Sequence, residues 1–162
     1  MMKTTVIDAL NQQINEELFS AYLYLSMSAQ FADMNLGGFS HWMKKQAEEE
    51  VEHAMKFFHF INERGGRVEL QPIKGPQKEW ESALQMMSES LAHEEHITAC
   101  IDKLMDLAVR EKDYATINML QWFVNEQVEE EAGVSEIVEK LKLIGDRGQG
   151  LFMLDRELGV RD

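Results

Sequence analysis

One cysteine, Cys100, in a chain of 162 residues excludes an intrachain disulfide and any CxxC redox or zinc motif, and favours a reducing, cytoplasmic setting. Proline is almost absent. Its two occurrences both fall in QPIKGP, residues 71–76, which leaves the remainder of the chain free to be helical. No apolar run approaches the roughly 18 residues a membrane span needs, and Lys3, Asp8, Glu16 and Glu17 interrupt the first segment, so no membrane association or processed leader is expected. Basic residues are scarce: 16 Lys and Arg stand against 29 Asp and Glu, for a net charge of -13. Sequence-independent nucleic-acid binding relies on basic side chains meeting phosphates, so that function is excluded and cations become the natural partners.

What remains is helical. The length suits a single domain, residues 1–162, that can bury a core without staples. Punctuation predicts helices over about 5–36, 40–64, 82–112, 114–145 and 149–158. Gly37-Gly38 is read as ending the first and Gly65-Gly66 the second, with Ser82 and Asp113 as N-caps of the third and fourth. A glycine-rich joint, GDRGQG, precedes the short last helix. The four long segments span roughly 42 to 48 Å each. Two joints are short and the middle connection is long, so the predicted fold is all-α: an antiparallel four-helix bundle with one long crossover and a short fifth C-terminal helix.

Each helix carries an apolar stripe, and each stripe is broken in its middle by a polar group: Glu17 on the first, Gln46, Glu50 and His53 on the second, Glu94 on the third, Gln127 and Glu130 on the fourth. The breaks repeat. Glu50 and His53 follow Glu17 by 33 and 36 residues, and Gln127 and Glu130 follow Glu94 by the same 33 and 36. Both hairpins therefore place an i, i+3 pair opposite a single glutamate, and all these side chains converge on one layer.

A dry layer holding Glu17, Glu50, Glu94 and Glu130 costs several kcal/mol per charge unless the acids are neutralised. No Lys or Arg lies on the stripes near them. Two divalent cations would cancel the four charges; His53 adds a nitrogen ligand and Gln127 an uncharged hydrogen-bonding or weak-ligand group. Oxygen-rich sites with one imidazole suit iron or manganese, with zinc as a competitor. The eleven methionines read as gap fillers of the core.

Glu17, Glu50-Val51-Glu52-His53, Glu94 and Gln127-Val128-Glu129-Glu130 together closely resemble the ferroxidase motif of non-haem bacterial ferritins, and helix order, crossover and tail match over essentially the whole chain. The resemblance implies one iron site on Glu17, Glu50 and His53 and another on Glu50, Glu94 and Glu130. Glu50 would bridge them, with Gln127 alongside. It implies oxidation of paired ferrous ions by dioxygen or peroxide, and ferric oxyhydroxide mineral stored in a hollow 24-subunit homo-oligomeric shell. Haem is not implied, since Val51 and Glu130 stand where bacterioferritins have a haem-ligating methionine and a second Glu-x-x-His. Rubrerythrins need a cysteine-rich domain, and the dodecameric DNA-protecting ferritins place their site between subunits, so neither is matched.

The same resemblance gives Glu49, Glu126 and Glu129 to a third, accessory iron site, and ties Tyr24 to iron oxidation; by position alone Tyr24 serves equally as a core residue. Trp122 resembles a family tryptophan, though core packing accounts for it. Glu48, Glu52 and Glu131 are read as solvated, Gly133 as a bend or close contact, and His41, His59, His93 and His96 as lying off the layer. The tail residues Leu151, Phe152, Leu154 and Leu158 dock either on their own bundle or, as the resemblance implies, around a four-fold axis. A purely structural bundle with solvated acids, and a di-iron or di-manganese oxidase without a shell, are the competing readings.

Overall fold

The computed structural model describes residues 1–145 and 147–162; Asp146, within the glycine-rich joint, lies outside the described residues. Five helices follow in order: α1 (Thr4–Asp33), α2 (Gly37–Glu63), α3 (Ala83–Arg110), α4 (Tyr114–Ile144) and α5 (Gly148–Leu158). α1 pairs with α2 and α3 with α4, while α1 also packs on α3. The segment between α2 and α3 runs back along α1. Asn11 holds it through the Arg67 carbonyl and the Glu69 N–H, Asn15 through the carbonyls of Gln71 and Pro72, and Ser26 through that of Gln77.

The helix ends follow local chemistry. Ser82 and Asp113 are N-caps whose side chains accept from the N–H groups of Gln85 and Thr116. Gly65, at φ 73°, closes α2 in the double-bonded turn that glycine favours, with Gly65 N–H to Asn62 O and Gly66 N–H to Ile61 O. α1 ends differently from the expectation. Asn35, at φ 60°, makes that same turn, and Gly37-Gly38 open α2. Asparagine tolerates the left-handed region, so the glycines are released for another task. A Cβ on Gly38 would sit 1.6 Å from the Asp155 carbonyl oxygen, so Gly38 is what lets α5 approach α2. Asp155 also accepts from the Phe39 N–H at 2.9 Å, capping α2 from across the fold.

Two apolar cores fill the bundle, and neither is continuous with the other. One gathers Tyr24, Met27, Phe31, Phe39, Met86, Val134 and Leu141 toward the α5 end, and the other gathers Val6, Leu10, Phe57, Ile101, Leu120 and Phe123 toward the opposite end. Between them lies the polar layer. α5 buries Leu154 and Leu158 in the first core, with Leu151 packed against it, whereas Phe152 and Met153 remain exposed. Gly133 sits inside continuous helix with open space where a Cβ would be, so no close contact is made there among the described residues.

Candidate metal centre

Glu17 on α1, Glu50 and His53 on α2, Glu94 on α3, and Gln127 and Glu130 on α4 all lie in the layer between the two cores, and all are buried. Helical spacing puts them there: each stands on the inward stripe of its helix, and the stripes become apolar above and below the layer. Two triads of ligand atoms result, Glu17 with Glu50 and His53, and Glu50 with Glu94 and Glu130, the atoms of each lying within 4.8 Å of one another. Glu50 belongs to both. His53 Nδ1 is 3.3 Å from Glu50 Oε2 and 3.9 Å from Glu17 Oε2.

Amide donors orient the acids. Gln13 donates to Glu17 at 3.0 Å, and Gln46 donates to Glu50 at 3.3 Å and to Glu130. Gln127 donates to Glu94 Oε2 at 3.1 Å, and the Tyr24 hydroxyl donates to Glu94 Oε1. Gln127 thus positions Glu94 with its amide, and Tyr24 reaches the layer. One oxygen is left over. Glu17 Oε2 is buried with no hydrogen-bond partner among the described residues, an arrangement that is costly unless a proton or a cation neutralises the carboxylate.

The electrostatics agree with that geometry. Burial, then the charge of Glu50, pushes the Glu17 carboxyl well above the usual range; burial, then Glu94, does so for Glu50. Burial also raises Glu94, and burial with the charge of Glu94 raises Glu130 to about 8. Without a cation, burial favours the protonated form of each of these acids. Tyr24 is raised as well, by burial and then by Glu94, which keeps it a hydrogen-bond donor. The layer can exchange protons for a pair of divalent ions, since the metal charge supplies what desolvation removes.

The acids expected at the accessory site separate. Glu126 is half-buried and its Oε1 lies 3.7 Å from His53 Nε2, forming a third triad with His53 and Glu130. Glu49 pairs with Arg161 at 2.9 Å, and Glu129 is exposed. Arg161 is a residue that sequence reasoning missed. From the C-terminal end it donates to Gln46 Oε1 at 3.1 Å and stacks over Trp42, while its carbonyl meets His41 Nε2, so it braces the amide that holds Glu50 and Glu130. Gln13 and Gln46 had a usable signal, each standing four residues before a buried glutamate. Trp122 is not core: it is 40% exposed, its ring edge-on to His53 and covered by Lys56. Glu48 and Glu52 are exposed, as read from sequence, while Glu131 is partly buried and accepts from Thr98.

A sequence family described as "Ferritin-like domain" matches residues 7–144. Proteins named "Bacterial non-heme ferritin" from Campylobacter jejuni and Bacteroides fragilis are each 42% identical, the first over 96% of this chain and 93% of its own length, the second over 99% and 100%. Among solved structures, an open-pore ferritin from the hyperthermophilic archaeon Archaeoglobus fulgidus is similar with a TM-score of 0.99 and 49% identity, covering 100% of both chains. A structure described as a humanized archaeal ferritin gives 0.99 and 51%, over 100% of this chain and 98% of its own.

Proposed function

Because this chain belongs to the ferritin family, as a non-haem bacterial-type member, we propose that its iron-storage function begins with oxidation of ferrous iron at the buried layer. The observation that carries this reading is the dry cluster of four carboxyls and His53 with the orphaned oxygen of Glu17. Iron is the substrate there. One ferrous ion would take Glu17, Glu50 and His53, its neighbour Glu50, Glu94 and Glu130, and binding would displace protons that burial favours on these carboxyls, Glu130 first among them. Held side by side, two ferrous ions supply the two electrons that reduce dioxygen to hydrogen peroxide as it takes up two protons. Gln13, Gln46, Gln127 and Tyr24 keep the ligands aimed inward, and Glu126, beside His53 and Glu130, is the first carboxylate on a path out of the layer. The accessory site therefore centres on Glu126 and shared Glu130, with Glu49 available only when Arg161 lets go.

Storage needs an enclosure, so the chain assembles with copies of itself. An apolar groove of about 460 Å³ between α1 and α2 is lined by Leu18, Tyr22, Leu25 and Val51, with Lys44 and Glu48 at its edge. Opposite charges on one patch suit a self-complementary contact with a second copy. The ferroxidase reading is tested by adding ferrous iron to the metal-free protein in air: wild type consumes oxygen rapidly, and Glu50→Ala and His53→Ala lose at least about tenfold of the rate. Unchanged oxygen uptake in both variants refutes it.

A further inference from the structure

On the outward faces of α1 and α3, away from the buried layer, Glu16, His96 and Cys100 bring three different ligand types to one point. Their ligand atoms lie within 4.8 Å of one another. His96 Nε2 is the hub, 3.1 Å from Glu16 Oε2 and 3.6 Å from Cys100 Sγ. We propose that these three side chains form a second metal site, selective for a borderline divalent cation of the zinc type.

Two of the three edges of this triad match a tetrahedral coordination shell, and the third lies within 4.8 Å. Zinc bonds of about 2.0 Å to nitrogen and oxygen and about 2.3 Å to sulfur require edges near 3.3 Å from nitrogen to oxygen and near 3.6 Å from nitrogen to sulfur. The two observed edges come within a few tenths of an ångström of these, so an ion enters with little side-chain movement and one vertex remains for water. His96 and Cys100 stand four residues apart on α3 and share a face, while Glu16 crosses from α1. Glu16 and Glu17 are adjacent in sequence but about 100° apart around α1, so one serves the surface and the other the layer. His93 supports the hub without entering it. Its Nε2 is engaged by the Ser20 hydroxyl at 2.7 Å, and its ring packs 5.8 Å from that of His96. Cys100 and Glu16 are half-buried and His96 is exposed, which gives an ion a route from solvent. A thiolate with an imidazole favours zinc, whereas the oxygen-rich layer favours iron, so the two sites sort ions by softness.

Because the chain has a single cysteine, thiol labelling reports on this site alone. In the metal-free assembled protein, zinc slows maleimide labelling of Cys100 by about tenfold or more. The protection persists in His53→Ala, which disables the buried layer and so separates this site from the iron reading, and it is lost in His96→Ala and weakened in Glu16→Gln. Cobalt(II) gives a thiolate-to-metal charge-transfer band that is absent in Cys100→Ser. Labelling indifferent to zinc, protection that survives His96→Ala or vanishes in His53→Ala, or a cobalt spectrum without that band overturns the proposal.

Discussion

Glu130 shows how one side chain ties protonation to metal uptake. Its carboxyl is held at about 8 by burial and by the charge of Glu94, against an ordinary value of 4.5. Between those values the folded, metal-free protein keeps a proton that the unfolded chain has lost. Stability therefore falls as pH rises from about 4.5 to 8, and this group's contribution is greatest at the acidic end of that window. Denaturation of the metal-free protein should show a loss on the order of 4 kcal/mol from this group between these extremes, and Glu130→Gln removes that share while leaving the part due to Glu17, Glu50 and Glu94. Bound metal reverses the trend, since the cation replaces the proton. The buried carboxylates were legible in sequence because each interrupts an apolar stripe at a repeated separation. Arg161 was not, because a single arginine near the chain end has no periodicity to mark where it lands.

Helix ends show what a glycine pair can conceal. Gly37-Gly38 reads as a stop signal, yet Asn35 makes the turn and Gly38 provides clearance for the backbone of α5. Gly38→Ala places a methyl group against the Asp155 carbonyl, and no rotamer relieves a clash between backbone-fixed atoms. That substitution should displace α5, removing the Asp155 cap on Phe39 and exposing Leu154 and Leu158, at a cost of at least about 2 kcal/mol. Hydrogen exchange would show it as lost protection confined to α5 and the first turn of α2. Unchanged protection there would mean that α5 docks independently of this contact. Ser82 and Asp113 behave as local signals should, because an N-cap acts within one helical turn and needs nothing distant.

At the scale of the whole molecule, the two apolar cores sandwich a polar layer of buried acids, which costs stability unless their charge is neutralised. α5 contributes Leu154 and Leu158 inward, so the tail docks on its own bundle, and it leaves Phe152 and Met153 exposed as an apolar face. The groove between α1 and α2 is the second such face. Leu25→Glu adds a charge to that groove and should shift the protein from a large assembly toward single chains in size-exclusion chromatography. The buried layer is complete within one chain, so oxygen uptake on adding ferrous iron should survive that dissociation while mineral no longer accumulates. An assembly of unchanged size would remove the groove from the subunit contacts.

Composition, glycine punctuation and stripe periodicity were enough, by themselves, to determine an all-helical bundle with a carboxylate layer, because helical period and the cost of buried charge act locally and repeat along the chain. Tertiary structure alone decided that Gln46 braces Glu130, that Arg161 occupies Glu49, that Gly38 clears α5, and that Glu16 meets His96 and Cys100. Those contacts join residues far apart in the chain, at positions set by the packing angle and axial offset of helices rather than by any helix's own pattern. Periodicity says which face a residue occupies; only packing says what stands opposite.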